Sequence, residues 1–375
     1  MHIVFLSHEY PVWSPGGVGS FLQTFGRALV QNGHRVTVVG AGKDAQEIRW
    51  EDEGVQLIRL PKKTGWKPAF WHNASVLNRK LRKLQQQHPI DIIESAELGL
   101  AFLSRKHRAK KVIRLHGGHH FFAEAEKRGI DTKKGWLEKR SFAKADGFIA
   151  VSNYVKAHTA KYLSYHNKPV AVVPHPMDTD LAVPEVNVNN NRVLFAGTIC
   201  EKKGVRQLLQ AFYLLRKTHP EKHLDLFGRD WYYPNGDSYI ERIQKELPTS
   251  HFEHVQFHGS IPKETLMKRY AEAAFCVFPS HMETQGLVTL EAMLMKKPVI
   301  FTQYGPGPET ITNGVSGWLC DVYDPKAIAE TMKWCIEHPK EAKEMGVNAR
   351  DHIQANFDKS RILEQNIDFY QSLYA

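Results

Sequence analysis

Residues 278–319 read FPSHMETQGLVTLEAMLMKKPVIFTQYGPGPETITNGVSGWL, and this stretch decides the fold. A short apolar run, 274–279, ends in a polar turn, 280–285. A helix is predicted from Gly286 to about Met295. It is apolar almost all round (Leu287, Val288, Leu290, Ala292, Met293, Leu294, Met295), and a helix with no polar face is a buried one. The next strand is read at 299–302. A short strand, a buried helix and a second short strand form the repeating unit of a parallel sheet.

Two carboxylates mark the helix. Glu283 precedes it and Glu291 lies inside it, with seven residues between them. A buried carboxylate is costly unless something hydrogen-bonds to it. The first turn of the same helix offers the N–H groups of Gly286, Leu287 and Val288 with the positive end of the dipole behind them. Gly286 carries no side chain to block close approach, so the helix end is an anion site. Hydroxyl acceptors beside an anion site match the groups of a nucleotide sugar. On the spacing alone another reading stays open, in which Glu291 caps a neighbouring loop and Glu283 is a solvated turn residue.

Working outward, the same alternation fills the chain. In the first half, strands are predicted at 2–6, 35–39, 55–60, 90–95, 112–115, 148–151 and 170–173. Helices are predicted at 18–32, 71–88, 133–145 and 153–164. This is the pattern of a doubly wound α/β domain. The polar, asparagine-rich run 182–192 reads as a linker. Beyond it, strands at 193–196, 223–227, 255–257, 275–278, 299–302 and 318–319 alternate with helices at 205–218, 239–246, 263–273, 286–295, 325–337 and 341–356. An amphipathic segment, 359–373, ends the chain. The expected division is a first Rossmann-like domain over 1–182, a linker over 183–192, a second Rossmann-like domain over 193–356 and a terminal helix within 357–375. A length of 375 residues suits two domains. Ligands in such sheets sit at the carboxyl ends of the strands, and two tandem domains are expected to face across a cleft.

Net charge is +10, unevenly spread. Through Ala182 there are 28 Lys and Arg against 16 Asp and Glu; from Val183 onward there are 22 against 24. The basic excess lies in the first half, where nucleic acid, anionic lipid or an anionic substrate are the candidate partners. No nucleic-acid recognition motif accompanies it. Cys200, Cys276, Cys320 and Cys335 are far apart and form no CxxC pair, which argues against a metal or disulfide framework and fits a reducing cytoplasm. The opening residues MHIVFLSHEYP read as a first strand and not as a signal peptide, and no apolar run approaches a membrane span.

Three further constellations stand at strand ends. The loop after the first strand, SHEYPVWSPGGVGSF, has Gly16 and Gly17 opening a helix, again an anion-favouring end. Its GGVG pattern lies ten residues past the strand, which argues against a dinucleotide fingerprint. The strand at 112–115 runs into His116-Gly117-Gly118-His119-His120. His116 is placed to hydrogen-bond a sugar hydroxyl or polarise a scissile bond. No acidic or cysteine partner at ligand spacing supports zinc there. After 193–196 comes Gly197-Thr198-Ile199-Cys200-Glu201-Lys202-Lys203-Gly204, where Lys203 offers a cation to a leaving diphosphate, or is simply solvated.

These residues resemble the retaining glycosyltransferases of family 4, which have the two-domain GT-B fold. The resemblance spans essentially the whole chain. It is carried by the GGVG loop, by RLHG at 114–117, by the Gly197–Gly204 loop and above all by Glu283, Gly286, Leu287, Glu291, Ala292, Met293, Pro298, Val299, Ile300, Glu309, Asn313, Gly314 and Gly317. It implies that Glu283 holds hydroxyls of the donor sugar and that Gly286, Leu287 and Val288 hold its diphosphate. It implies further that Glu291 binds the ribose, that Lys203 neutralises the leaving phosphate, with Gly17 contacting it from the other domain, and that His116 lies near the reacting face. The base is expected on backbone near 258–261, including Ser260 and Ile261. Family members keep the anomeric configuration and use no bound metal or other cofactor, and their last helix crosses back to the first domain. The chain departs from the family pattern twice. Thr198 stands where an arginine is usual, and Arg229 is the expected substitute. Gln285 stands where Phe or Tyr is usual, which alters the wall of the sugar pocket.

The resemblance places the acceptor on the basic first half. Residues 62–71 interleave cations with aromatics, and 79–83 and 105–111 add further charge, a composition suited to an anionic membrane surface. The expectation is a cytoplasmic enzyme, peripheral at the inner face of the membrane. It moves sugar from a UDP- or GDP-sugar to a glycan or lipid-linked acceptor in polysaccharide or glycolipid synthesis. The alternatives are a nucleotide-sugar-binding protein without transfer, motivated by Thr198, and a phosphorylase or epimerase on the same fold.

Overall fold

The computed structural model describes residues 1–14, 16–64, 67–125 and 129–375. The chain forms two compact units: Met1–Asp178 with Lys359–Ala375, and Thr179–Asp358. The strands are β1 (His2–Leu6), β2 (Arg35–Gly42), β3 (Ile48–Asp52), β4 (Val55–Pro61), β5 (Ile92–Ser95), β6 (Lys110–Leu115), β7 (Gly147–Ala150), β8 (Val170–Val172), β9 (Asn189–Ala196), β10 (His223–Phe227), β11 (Val255–Gly259), β12 (Ala273–Phe278), β13 (Val299–Thr302) and β14 (Trp318–Cys320). The helices are α1 (Gly17–Gln31), α2 (Lys67–Gln87), α3 (His119–Ala125), α4 (Thr132–Phe142), α5 (Asn153–Ala160), α6 (Val205–Arg216), α7 (Tyr239–Glu246), α8 (Lys263–Glu272), α9 (Leu287–Leu294), α10 (Gly307–Thr310), α11 (Pro325–Glu337), α12 (Pro339–Asn356) and α13 (Lys359–Ser372). Among the described residues no helix is long and apolar enough to cross a membrane.

The first unit holds an eight-stranded sheet ordered β3-β4-β2-β1-β5-β6-β7-β8, parallel except for β3. Strands β1, β5 and β7 are buried along their whole length, which is why they are mostly apolar; the buried Glu94 of β5 is the charged exception. Strand order reverses at β1, which pairs with β2 on one side and β5 on the other. In the second unit the order is β11-β10-β9-β12-β13-β14, all parallel, and it reverses between β9 and β12. In sheets of this kind ligands bind at the carboxyl ends of the strands where the order reverses, here β9 and β12. The loops that leave those ends are the ones carrying Lys203 and Glu283.

The structure differs from the sequence expectations in several places. Strand β3 was not expected: IRWED alternates, but four of its five residues are polar, charged or aromatic because it is an edge strand half open to solvent. Helix α3, starting at His119, is not among the expected helices; the glycines at 117 and 118 hid a short helix start. Strand β9 starts at Asn189, inside the stretch expected as linker. Its polar end, Asn189–Asn191, is exposed, yet Asn189 pairs with Ala273. The division between the units falls after Asp178.

Arg114 anchors the last helix in the first unit. It is completely buried, and its guanidinium donates to Glu94 at 2.7 and 3.2 Å and to Asn366 at 2.6 Å. The Tyr370 hydroxyl donates to Glu94 at 2.6 Å, and the guanidinium lies 4.7 Å from the Phe21 ring centre. Asn366 and Tyr370 belong to α13, so one buried charge pair ties α13 to β5 and β6. A buried charge is tolerable only with an opposite charge and hydrogen bonds of this kind.

Candidate functional site

In the second unit, the loop after β9 turns through Gly204 into α6. Gly204 has φ +69°, and a Cβ there would overlap the carbonyl of Pro279, so only glycine lets this loop lie against the end of β12. The two loops are joined by a hydrogen bond from the His281 N–H to the Lys202 carbonyl, 2.9 Å. That contact brings the Lys203 ammonium onto Glu283 Oε1 as an ion pair. Ser280 Oγ donates to the same oxygen at 2.9 Å. Both members are largely shielded, their side chains 20% and 10% exposed.

Helix α9 follows. Gly286 is its N-cap with φ +85° and ψ +60°, and a Cβ would press on the Phe301 ring at 2.8 Å. Left-handed backbone at a crowded position requires glycine. The Gly286 carbonyl accepts from Thr289 and Leu290, which leaves the N–H groups of Leu287 and Val288 in the first turn, where no preceding carbonyl reaches them. Residues Thr289–Leu294 are all buried. Glu291 lies among them, and its Oε1 is 3.5 Å from Lys263 Nζ. Burial raises its carboxyl above the usual range, and Lys263 offsets part of that.

The other residues singled out in the second half stand at strand ends. Thr198 is half-buried two residues past β9. Arg229 is exposed in the turn after β10, and its carbonyl accepts from the Ile199 N–H at 2.9 Å. This bond sets the two loops side by side at the level of the backbone. Ser260 is exposed and Ile261 half-buried between β11 and α8. Just before them His258 Nε2 meets Asp225 Oδ1 at 2.7 Å and its ring stacks on Phe227. Gln285 is buried, with its carbonyl 3.4 Å from the Thr310 hydroxyl.

In the first unit, Gly16 caps α1 in extended backbone and Gly17 is its first residue. Space around Gly17 is open, whereas a Cβ on Gly16 would overlap the Glu9 carboxylate. Glu9 also accepts from the Gly19 N–H at 3.4 Å. The helix end expected to take an external anion therefore has a carboxylate of the chain beside it, which sequence reasoning missed. His116 follows β6 and stacks on His175 at 5.1 Å and against Phe21 at 5.5 Å. Burial and the nearby Arg114 charge hold its pKa at about 3, so it is a neutral imidazole at physiological pH. The neighbouring histidines are engaged elsewhere: His119 Nε2 accepts from the Asp131 N–H at 2.8 Å, and His120 Nδ1 is bonded to Glu138. Among the described residues no group of three His, Cys, Asp or Glu side chains is arranged to hold a metal ion.

The basic surface is smaller than its sequence. Within 62–71, Gly65 and Trp66 lie outside the described residues. Lys80 is buried on Glu47 at 2.6 Å, and Lys111 donates to the carbonyls of His107 and Ala109. What remains exposed is aromatic as well as basic. Trp71 and Trp136, 67% and 53% exposed, flank Phe102 at 6.2 Å, and Phe70 packs on it at 4.0 Å. The Arg140 guanidinium sits 5.4 Å from both Phe102 and Trp136.

Two family profiles match this chain in succession: Glycosyltransferase Family 4 over residues 15–181 and Glycosyl transferases group 1 over residues 177–352. Glycogen synthase from Mycobacterium tuberculosis is 23% identical across 99% of this chain and 94% of its own length. The GDP-mannose-dependent alpha-(1-6)-phosphatidylinositol monomannoside mannosyltransferase of Mycolicibacterium smegmatis is 25% identical across 89% of each. Among solved structures, sucrose-phosphate synthase from Thermosynechococcus elongatus superposes with a TM-score of 0.85 at 22% identity, covering 100% of this chain and 99% of that one. Anabaena Alr3699/HepE in complex with UDP-glucose gives 0.78 at 17% identity, covering 99% and 100%.

Proposed function

The chain belongs to the GT4-type glycosyltransferases, with the GT-B fold, and from that premise we propose that it is a retaining, metal-independent hexosyltransferase using a UDP- or GDP-sugar. The observation that carries this is the cluster at the β9 and β12 ends: Lys203 on Glu283, with the open first turn of α9 behind them. A nucleoside diphosphate has the charge for that helix end and that ammonium. Glu291 takes the ribose hydroxyls, the backbone near Ser260 and Ile261 takes the base, and Glu283 takes sugar hydroxyls. As the bond between the sugar's anomeric carbon and the diphosphate oxygen breaks, Lys203 and the amides of Leu287 and Val288 stabilise the developing negative charge. The acceptor oxygen bonds the anomeric carbon on the same face and its proton passes to the leaving phosphate oxygen. No protein nucleophile and no cofactor enter. Arg229 supplies the second phosphate cation that Thr198 does not. The bound UDP-glucose of the Anabaena neighbour and the GDP-mannose dependence of the mycobacterial relative support a nucleotide-sugar donor.

We place the acceptor, a glycan or lipid-linked molecule of cell-surface polysaccharide or glycolipid synthesis, on the first unit. The enzyme works in the cytoplasm, against the inner membrane face. The Trp71, Phe102, Trp136 and Arg140 surface supports this, since exposed aromatics beside cations suit a headgroup layer. Co-sedimentation with anionic but not neutral vesicles is expected, weakening with salt; equal binding to both refutes it. For the donor, melting temperature is read with UDP, GDP, ADP and their sugars, since a ligand of the folded state raises it. One nucleotide series raises it; no shift with any removes the proposal. One observation favours a second reading, binding without transfer: Thr198 is not a cation. A nucleotide shift without sugar transfer to any acceptor would establish it.

A further inference from the structure

The first unit contains a cavity of about 710 Å³ that the donor chemistry leaves unused. Its walls come from the ends of β1, β2, β4 and β5, from α2 and from the start of α3. They are mostly hydrocarbon, including Leu60, Phe70, Val76, Leu77, Phe102 and Phe122. The volume lies in the range of small-molecule sites, roughly 300–1,000 Å³. Polar side chains interrupt that wall, Ser7, His8, Glu9 and His119 among them, so a ligand that fits it has both a hydrocarbon part and hydrogen-bonding groups. Lys62 and Lys134, both exposed, contribute cations, and the Asn73 side chain is already bonded to the Lys63 backbone.

One group in the wall stands apart. Glu97 is 4% exposed and its Oε1 has no hydrogen-bond partner. A buried carboxyl with bonding capacity unused is costly and needs a reason. Gly118 creates the arrangement: a Cβ there would crowd Glu97 Cγ at 2.9 Å and overlap Glu138. Glu138 is fully committed, taking the His119 and His120 N–H groups and the His120 ring. Glu97 is not. Burial, reinforced by the Glu138 charge, pushes its pKa up to about 8, so at neutral pH it is a carboxylic acid able to donate and accept.

We propose that this cavity binds a hydroxyl-bearing amphiphile, with its hydrocarbon part against the apolar wall and a hydroxyl on Glu97. That this molecule is the sugar acceptor rests on the transferase function proposed above; that it binds does not. The test uses the full chain and calorimetric titration with methyl, hexyl, octyl and decyl β-D-glucosides below their micelle concentrations. Affinity is expected to rise about fourfold per added methylene over the chain length that the cavity takes. Ala74→Phe and Val76→Phe, two independent fillings from α2, are each expected to weaken octyl glucoside binding at least tenfold. Glu97→Leu is expected to weaken it about tenfold while keeping the gain per methylene, and Glu97→Gln to restore most of the loss. Affinity independent of chain length, or unchanged in both filled variants, overturns the site. An unchanged Glu97→Leu overturns the hydroxyl contact. Nucleotide-induced melting shifts, measured alongside, separate the two claims: glucoside binding without a nucleotide shift removes the transferase proposal and keeps the cavity, and the converse removes the cavity alone.

Discussion

Replacing Lys203 with methionine separates what its ion pair does for stability from what its charge does for turnover. Lys203 and Glu283 are 20% and 10% exposed, between a surface pair and a buried one. Breaking a fully buried pair costs about 3–5 kcal/mol, and an exposed pair contributes about 0–1. An intermediate loss of about 2 kcal/mol is expected, because Glu283 is left with the Ser280 hydroxyl as its side-chain partner. For a unit of this size that is roughly 4–8 °C in the melting transition of the second unit. Turnover is expected to fall about 100- to 1,000-fold, the usual cost of removing one group that stabilises developing charge. The double variant Lys203→Met, Glu283→Gln discriminates. It leaves no unpaired carboxylate, so it recovers about 1–2 kcal/mol relative to the sum of the singles. It recovers no turnover. Calorimetric scans and initial-rate kinetics on the four proteins complete the cycle. A Lys203→Met enzyme that loses the stability but keeps its kcat/KM within about twofold refutes the phosphate role and leaves Lys203 a structural residue.

Gly286→Ala forces left-handed backbone onto a residue whose Cβ meets Phe301, and is expected to cost about 1–3 kcal/mol and weaken nucleotide binding; chemical denaturation and calorimetric titration read the two effects, and unchanged nucleotide affinity counts against the helix-end site. The His116 pKa, about 3 in the folded chain against an ordinary 6.5, makes its contribution complete above pH 6.5 and progressively lost as pH falls toward 3. Wild type should therefore lose up to about 1.4 kcal/mol more per pH unit than His116→Phe between pH 6 and 4, measured by urea unfolding; parallel slopes contradict it. Arg114→Met strands Glu94 in the core beneath α13 and is expected to cost about 3–5 kcal/mol, most of it regained in Arg114→Met, Glu94→Met; equal losses in both variants mean that the pairing is not what anchors α13.

The alternation of apolar runs and amphipathic helices reveals both parallel sheets, because strands covered on two faces have no polar side to interrupt them. The buried helix α9 is legible for the same reason. Strand β3 is not, since IRWED sits on an edge where polar side chains cost nothing. At the candidate site, Gly286 and the two carboxylates are found from local spacing. The pairing of Lys203 with Glu283 spans 80 residues and depends on the strand order that sets β9 beside β12. Glu97 gave no signal at all: it matters because Gly118, distant in sequence and without a side chain, leaves room for it in the cavity wall, where its Oε1 finds no partner. Charge runs misled in a plain way. Lys80 and Lys111 face inward onto specific acceptors, and composition does not distinguish a solvated lysine from a bonded one.

The most direct test of the central claim is incubation of the full-length protein with UDP-glucose or GDP-mannose and an alkyl glucoside in EDTA, followed by proton NMR of the product. The account predicts a new glycoside carrying the anomeric configuration of the donor, with nucleoside diphosphate released in equal amount. An inverted product, transfer that stops in EDTA, or no transfer from a nucleotide sugar that raises the melting temperature would contradict it.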